Sequence, residues 1–292
     1  MQSMDSVARP SRTALRVALR RATHQLVDSP RLLDDEVAVP IVGDAAAKES
    51  AAEAEAERKG WPNRAGRAIR AFMVARSRFA EDALARGVTR GVTQYVILGA
   101  GLDTFAYRNP HRARSLRVFE VDHPATQAWK RARLEAAAIP IPASLTFAPV
   151  DFERQTLGDG LAAAGFDSGA PSFFSWLGVT MYLTEPAIAS TLGLVAATPR
   201  GGGIALDYAV PRATLGWMGR IAHDALARRV AAAGEPFRTF WSPGDVRERL
   251  AAAGFRAIED LGADEINARY FVGRADGLKV SGDLGRLASA EL

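Results

Sequence analysis

The chain has 292 residues, 48% of them apolar, with no cysteine, four histidines and a net charge of +4. That apolar content supplies a core and excludes a disordered chain, and the missing cysteines exclude disulfides, thiolate metal sites and a cysteine nucleophile. Scattered histidines without an HExxH motif predict no metal. The arginines are interleaved with acids, so no nucleic-acid partner is expected despite a pI near 9.7. No apolar run approaches the length of a transmembrane helix, and the charged N-terminal stretch lacks the apolar region of a secretory signal. The expectation is a cytoplasmic protein without a membrane partner.

Residues 1–12 are polar and expected to fray. Thr13 to Val27 has apolar residues at helical spacing, and Asp28-Ser29-Pro30 ends it. Asp44 to Lys59 is rich in Ala and Glu, with high helix propensity and little to bury. It reads as an exposed helix or a mobile cover, closed by Gly60, Trp61 and Pro62. Arg64 to Arg86 is a stronger helix with Ile69, Phe72, Met73, Phe79 and Leu84 on one face. Arg76 falls on that stripe, where a guanidinium must snorkel or find an anion.

Gln94 to Asp122 is the stretch on which the rest depends. Tyr95 to Leu98 reads as a buried parallel strand. Gly99, Ala100 and Gly101 follow, and a turn of small residues lets a ligand approach the backbone. Leu102 to Arg108 sits where a helix should open, and Asn109-Pro110 stops it. Asp103 either orients a ligand amino group or caps the next turn. Arg117 to Val121 is the second strand, ending in Asp122 and then His123-Pro124. An acid about twenty residues after a glycine turn is how a Rossmann-like fold holds a ribose. The turn lacks the third glycine of GxGxxG, which favours a nucleoside ligand without phosphate over NAD.

Ala125 to Ala138 is helical in pattern, Leu145 to Val150 is a third strand, and Asp151 follows it. Asp151 either accepts from an adenine amino group or caps a turn, and Phe152 could read or cover the ring. Leu157 to Ala164 is a short helix and Ser172 to Leu177 a fourth strand. Thr184 is a candidate N-cap for a helix reaching about Ala197. Ile204 to Tyr208 is a fifth strand, and Ser242 to Ala253 a helix capped by Ser242. Phe255 to Ile258 and Tyr270 to Val272 are the candidate last strands. Alternating strands and helices imply a doubly wound, mostly parallel α/β sheet. Residues 209–241 interrupt that pattern with an amphipathic helix and an aromatic stretch on the rim where ligands bind. They read as a substrate cover or as a packing subdomain.

The segments GAGLDTFAYR, FEVDHP, PVDFE and WLGVTMYLT resemble the leucine carboxyl methyltransferase-like family of S-adenosylmethionine-dependent methyltransferases, and its actinobacterial branch in particular. The likeness runs from about Thr13 to Tyr208. It implies a Rossmann-like, seven-stranded class I methyltransferase fold with an antiparallel last strand. It also implies a helical cover over residues 1–62, a cofactor domain over 63–292, and S-adenosylmethionine as cofactor. The family's Arg-Thr pair corresponds to Arg76-Ser77, giving Arg76 the cofactor's methionine carboxylate. The resemblance puts Gly99, Ala100, Gly101, Asp103, Asp122, His123, Asp151, Phe152 and Leu177 around the cofactor. There are three departures: Asp34-Asp35 for the usual DP, Phe105 where the family has Arg, and Leu177 where it has Glu.

Methyl transfer from a sulfonium is an in-line displacement that needs alignment and exclusion of water. A carboxylate acceptor needs no base, whereas a hydroxyl does. Tyr182, Tyr208, His123 and His223 are candidates by position alone, so no catalytic residue is assigned. The reading is O-methylation of a small-molecule carboxylate or hydroxyl. A nicotinamide-dependent oxidoreductase would show a third glycine and a Tyr-x-x-x-Lys motif, and neither is present. A non-catalytic S-adenosylmethionine-binding protein is the other alternative, suggested by Phe105 and Leu177.

Overall fold

A computed structural model describes residues 12–61, 63–151, 154–232 and 234–292. The expectations for residues 1–11, Pro62 and Phe152 lie outside the described residues. Four helices come first: α1 (Arg12–Val27), α2 (Ala38–Ile41), α3 (Asp44–Arg58) and α4 (Arg64–Thr89). Asn63 starts α4 by accepting a hydrogen bond from the Gly66 amide at 3.0 Å. β1 (Gln94–Leu98), α5 (Phe105–Arg108), β2 (Arg117–Asp122), α6 (Pro124–Ala136) and β3 (Leu145–Pro149) follow. Next come α7 (Leu157–Ala163), β4 (Ser172–Trp176), α8 (Glu185–Ala196), β5 (Gly203–Ala209) and α9 (Trp217–Ala232). The chain ends with α10 (Pro243–Ala252), β6 (Arg256–Leu261), α11 (Ala263–Tyr270) and β7 (Gly285–Glu291).

The seven strands form one sheet in the order β3-β2-β1-β4-β5-β7-β6. β1 to β5 pair in parallel, and β7 runs antiparallel between β5 and β6. Successive strand residues face opposite sides, so the sheet divides the core in two. Tyr95, Ile97, Val118 and Phe173 pack with α1, α4 and α11 on one side. Val96, Leu98, Phe119, Val121 and Phe174 pack with α7, α8 and α10 on the other. The crossover order reverses between β1 and β4, and such a switch point opens a crevice at the carboxyl ends of the strands.

Three expectations need correction. Tyr270 to Val272 is no strand. Tyr270 closes α11, where its hydroxyl donates to Asp82 at 3.0 Å, and the partner of β6 is β7. The opening helix after the glycine turn is only α5, because Asp103 and Thr104 are held by other groups. Thr184 precedes α8 but makes no side-chain capping bond, whereas Ser242 and Asp245 form a full capping box on α10. Helix α3 is largely exposed, one of the two readings taken from sequence, with one side packed. It turns Ser50 and Ala54 inward against α1 and is tied down by charge.

Candidate functional site

The glycine turn is built by backbone. The amides of Gly99 and Ala100 both donate to the Val121 carbonyl, at 2.9 and 3.0 Å, which bends the chain as it leaves β1. Gly99 and Gly101 sit at φ +68° and +48°. A Cβ on Gly99 would come within 2.4 Å of Val179, and one on Gly101 within 3.0 Å of Ala14, so these two positions favour glycine. Asp122 at the end of β2 locks onto it. Its Oδ2 accepts from the Gly101 amide at 2.6 Å and its Oδ1 from the His123 amide at 2.7 Å. Burial pushes this carboxyl above its ordinary range, and the two amides hold it back. Thr126 adds a side-chain hydrogen bond to the same carboxylate.

Two neighbouring residues have structural work of their own. His123 caps α6, its Nδ1 accepting from the Ala125 amide at 3.1 Å. Asp103 Oδ1 accepts from the Phe105 amide at 2.8 Å, which closes the turn into α5. Its other oxygen lies 3.6 Å from Arg21. Thr104 stands where GxGxxG would have its third glycine, and its hydroxyl donates to buried Asp35 at 2.6 Å. Asp151 lies in a turn after β3, its carbonyl accepting from the amides of residues 154 and 155 and its carboxylate 3.4 Å from Arg154.

Arg76 reaches across from α4 to the end of β5. Its Nη1 donates to Asp207 at 2.8 Å, with both side chains buried. The other Asp207 oxygen accepts from the Gly178 amide, and the Asp207 carbonyl accepts from the Thr180 hydroxyl at 2.6 Å. Gly178 has φ +73°, and a Cβ there would meet both Nη atoms at 3.0 Å. The guanidinium therefore lies flat against the backbone that leaves β4. Leu177 is half-buried and packs against the α4 side of the core. Asp207 was missed from sequence, although an acid inside the apolar run IALDYA was the available signal.

Helix α1 roofs this crevice. Ala14 sits over Gly101, Arg21 donates to the Leu102 carbonyl, and Thr13 donates to Glu235 of the 209–241 segment. That segment is fastened in turn to the loop after β4. The amides of Arg238 and Thr239 donate to the Met181 carbonyl at 2.7 and 3.2 Å. Tyr182 and Phe237 pack with ring centroids 5.4 Å apart, and Phe237 meets Phe240 at 5.9 Å. Tyr182 stands among Glu235, Arg76 and Asp207, and burial pushes its hydroxyl up to about 12, so at neutral pH it is a donor and not a base. Tyr208 faces away, donating to Asp260 at 2.6 Å. His223 packs on Phe240, with ring centroids 5.3 Å apart.

Two buried charge networks underlie the site. Arg70, fully buried, donates to both oxygens of Asp28 and both of Glu57 at 2.8 to 3.0 Å, while Asp28 also meets His24 Nδ1 at 2.6 Å. Beneath the glycine turn, Lys130 Nζ donates to Glu120 at 2.6 Å and to the Asp103 carbonyl at 2.7 Å. Among the described residues no group of acids and histidines is placed to hold a metal ion, and no helix is long and apolar enough to cross a membrane.

A mostly parallel sheet with an antiparallel β7, a glycine turn at its switch point and an acid at the end of β2 define a class I methyltransferase fold. The chain belongs to the leucine carboxyl methyltransferase family, whose family model matches residues 14–196. It is 34% identical over 287 residues to a Bacillus subtilis protein named "Putative S-adenosyl-L-methionine-dependent methyltransferase YktD", covering 92% of this chain and 93% of YktD. A protein of the same description from Saccharopolyspora erythraea is 32% identical over 210 residues, or 70% of each chain. Among solved structures, a DUF574 family protein from Streptomyces avermitilis superposes with a TM-score of 0.56 at 17% identity, covering 93% of this chain and 99% of that one. A Thermobifida fusca structure described as a "putative methyltransferase" gives 0.58 at 15% identity, covering 98% and 96%. At such identities these two speak for the fold alone.

Proposed function

We propose that the protein is an S-adenosylmethionine-dependent methyltransferase that O-methylates a small-molecule carboxylate or hydroxyl. The observation that carries the reading is that a glycine cradle, the Asp122 carboxylate and the Arg76 guanidinium gather at the switch point, where Asp122 holds Gly101, Val179 abuts Gly99 and Arg76 abuts Gly178. This donor set suits a nucleoside that bears a free carboxylate. Asp122 would accept from ribose hydroxyls, and the planar fork of Arg76 would take a carboxylate with the nitrogens that Asp207 does not use. Thr104, tied to Asp35, leaves no third glycine for a pyrophosphate. When bound, S-adenosylmethionine supplies the electrophilic methyl group and a neutral thioether leaving group.

The chain's own part is alignment and exclusion of water. Residues 1–62 act as the cofactor cover through α1, and residues 209–241 as the acceptor cover of the 63–292 domain. The Thr13–Glu235 bond joins the two covers over the site. Tyr182 keeps its proton and would orient an acceptor oxygen by donating to it. A carboxylate acceptor needs no base and is the simpler chemistry, since Glu235 is already engaged by Thr13.

Calorimetric titration tests the reading, with S-adenosylmethionine as ligand and NAD as control. The expected result is micromolar binding of the former alone, weakened at least about tenfold in both Asp122→Ala and Arg76→Lys. Binding of NAD alone would sink the reading. Binding of S-adenosylmethionine without turnover of any carboxylate or hydroxyl acceptor would favour the non-catalytic alternative that Phe105 and Leu177 suggest.

A further inference from the structure

Helix α9 turns an apolar face outward. Trp217, Met218 and Ile221 are 72%, 67% and 61% exposed. At the helical repeat they share one side with the exposed Ala222 and Ala225, while His223 and Val230 mark the buried side. Arg228 and Arg229 continue the exposed face toward the C-terminal end of the helix. Residues 209–241 hold five arginines against two acids. Both acids are engaged, Asp224 by Arg212 at 2.8 and 2.9 Å and Glu235 by Thr13.

We infer that this face of α9 docks on an anionic lipid surface. A helix with Trp, Met and Ile beside uncompensated arginines suits the boundary between headgroups and acyl chains, where the apolar side chains enter and the guanidiniums meet phosphate. A patch of this kind on a soluble fold marks a contact, and its charge selects the partner. A second copy of the chain would bring the same arginines against themselves across a two-fold axis. A nucleic acid would leave the Trp217–Ile221 patch in water. The expectation of no membrane partner rested on the lack of a spanning segment, which says nothing about a helix lying in the interface plane. One consequence rests on the methyl-transfer reading: α9 borders the rim of the crevice, so an acceptor with an apolar tail would enter from the lipid side.

The test is co-sedimentation of the full chain, without cofactor, with vesicles of phosphatidylcholine and phosphatidylglycerol in equal parts, and with phosphatidylcholine alone as control. Binding to the anionic vesicles only is expected, weakened by salt. The double variants Trp217→Ser/Ile221→Ser and Arg228→Glu/Arg229→Glu should each lower partitioning at least about tenfold, and an unchanged melting temperature would show that both still fold. No binding to either vesicle overturns the proposal, as does binding that neither variant weakens. A dimer lost in Ile221→Ser, with vesicles left unbound, would also overturn it and assign the face to a second copy. Vesicle binding in a protein that takes no S-adenosylmethionine would sink the methyl-transfer reading and leave the docking face standing.

Discussion

Glu120 shows how a single buried residue ties the glycine turn to pH. It points to the α4 side of the sheet from the middle of β2, fully buried, with Lys130 as its partner. Burial pushes its carboxyl up from 4.5 to about 7, with Lys130 pulling the other way. Between those values the folded protein holds a proton that the unfolded chain has lost. The stabilisation from this group is therefore complete below 4.5 and is lost as pH rises through 7. Glu120→Gln keeps the volume and removes the titration. Urea melts at about pH 5 and about pH 7.5 should show the wild type losing stability relative to the variant. A difference that stays constant between the two would show that Glu120 is ionised at both. The residue was legible in principle, since an acid flanked by Phe119 and Val121 in a buried strand needs a partner. The partner was not legible, because Lys130 looks like any solvent-facing residue of an amphipathic helix until α6 is laid on the sheet.

Helices α1, α3 and α4 are joined by ion pairs as well as by packing, and those pairs are not visible in the sequence of α3. Its Ala-rich face buries little, yet Glu53 and Glu57 reach Arg20 and Arg70, and Arg70 reaches Asp28 at the end of α1. Arg70 joins α1, α3 and α4 at one point. Arg70→Ala would strand two buried acids, a change that costs about 3–5 kcal/mol where a buried pair loses one partner. Arg70→Lys cannot reproduce the fork to Asp28 and Glu57 and should recover only part of the loss. The expected outcome is a lowered melting temperature, with proteolytic cuts in α1 to α3 ahead of cuts in the sheet. If Arg70→Ala melts like the wild type and is cut no faster there, packing alone holds the cover. From sequence, Arg70 is one of several arginines on α4. Only His24 and Asp28, one helical turn apart, hinted at a buried cluster.

Across the whole molecule, local pattern and distant pairing were unequally readable. The strands β1 to β4 could be read because each is a short, largely apolar run followed by a glycine or an acid, as Tyr95 to Leu98 is by Gly99. The partner of β6 could not, because GRLASAE offers neither β-branched residues nor a clear alternation. It is a strand because β5 and β6 flank it. The cradle and Asp122 were likewise visible, while Asp207 and the α1 roof depend on contacts from 81 to 222 residues apart. That roof leads to a prediction about the intact protein. With Ala14 over Gly101, α1 must shift for a nucleoside to enter the crevice and can reseat on it afterwards, so ligand binding and closure of the cover are linked. A ligand that binds only the folded state at a hundred times its dissociation constant adds about 2.7 kcal/mol. For a chain of this size that raises the melting temperature by about 4 °C. S-adenosylmethionine should give that rise and slow amide exchange in α1 together, while NAD gives neither. A rise without protection of α1 would mean that the ligand binds with the helix displaced. The cover would then be a barrier to entry and would make no part of the closed site.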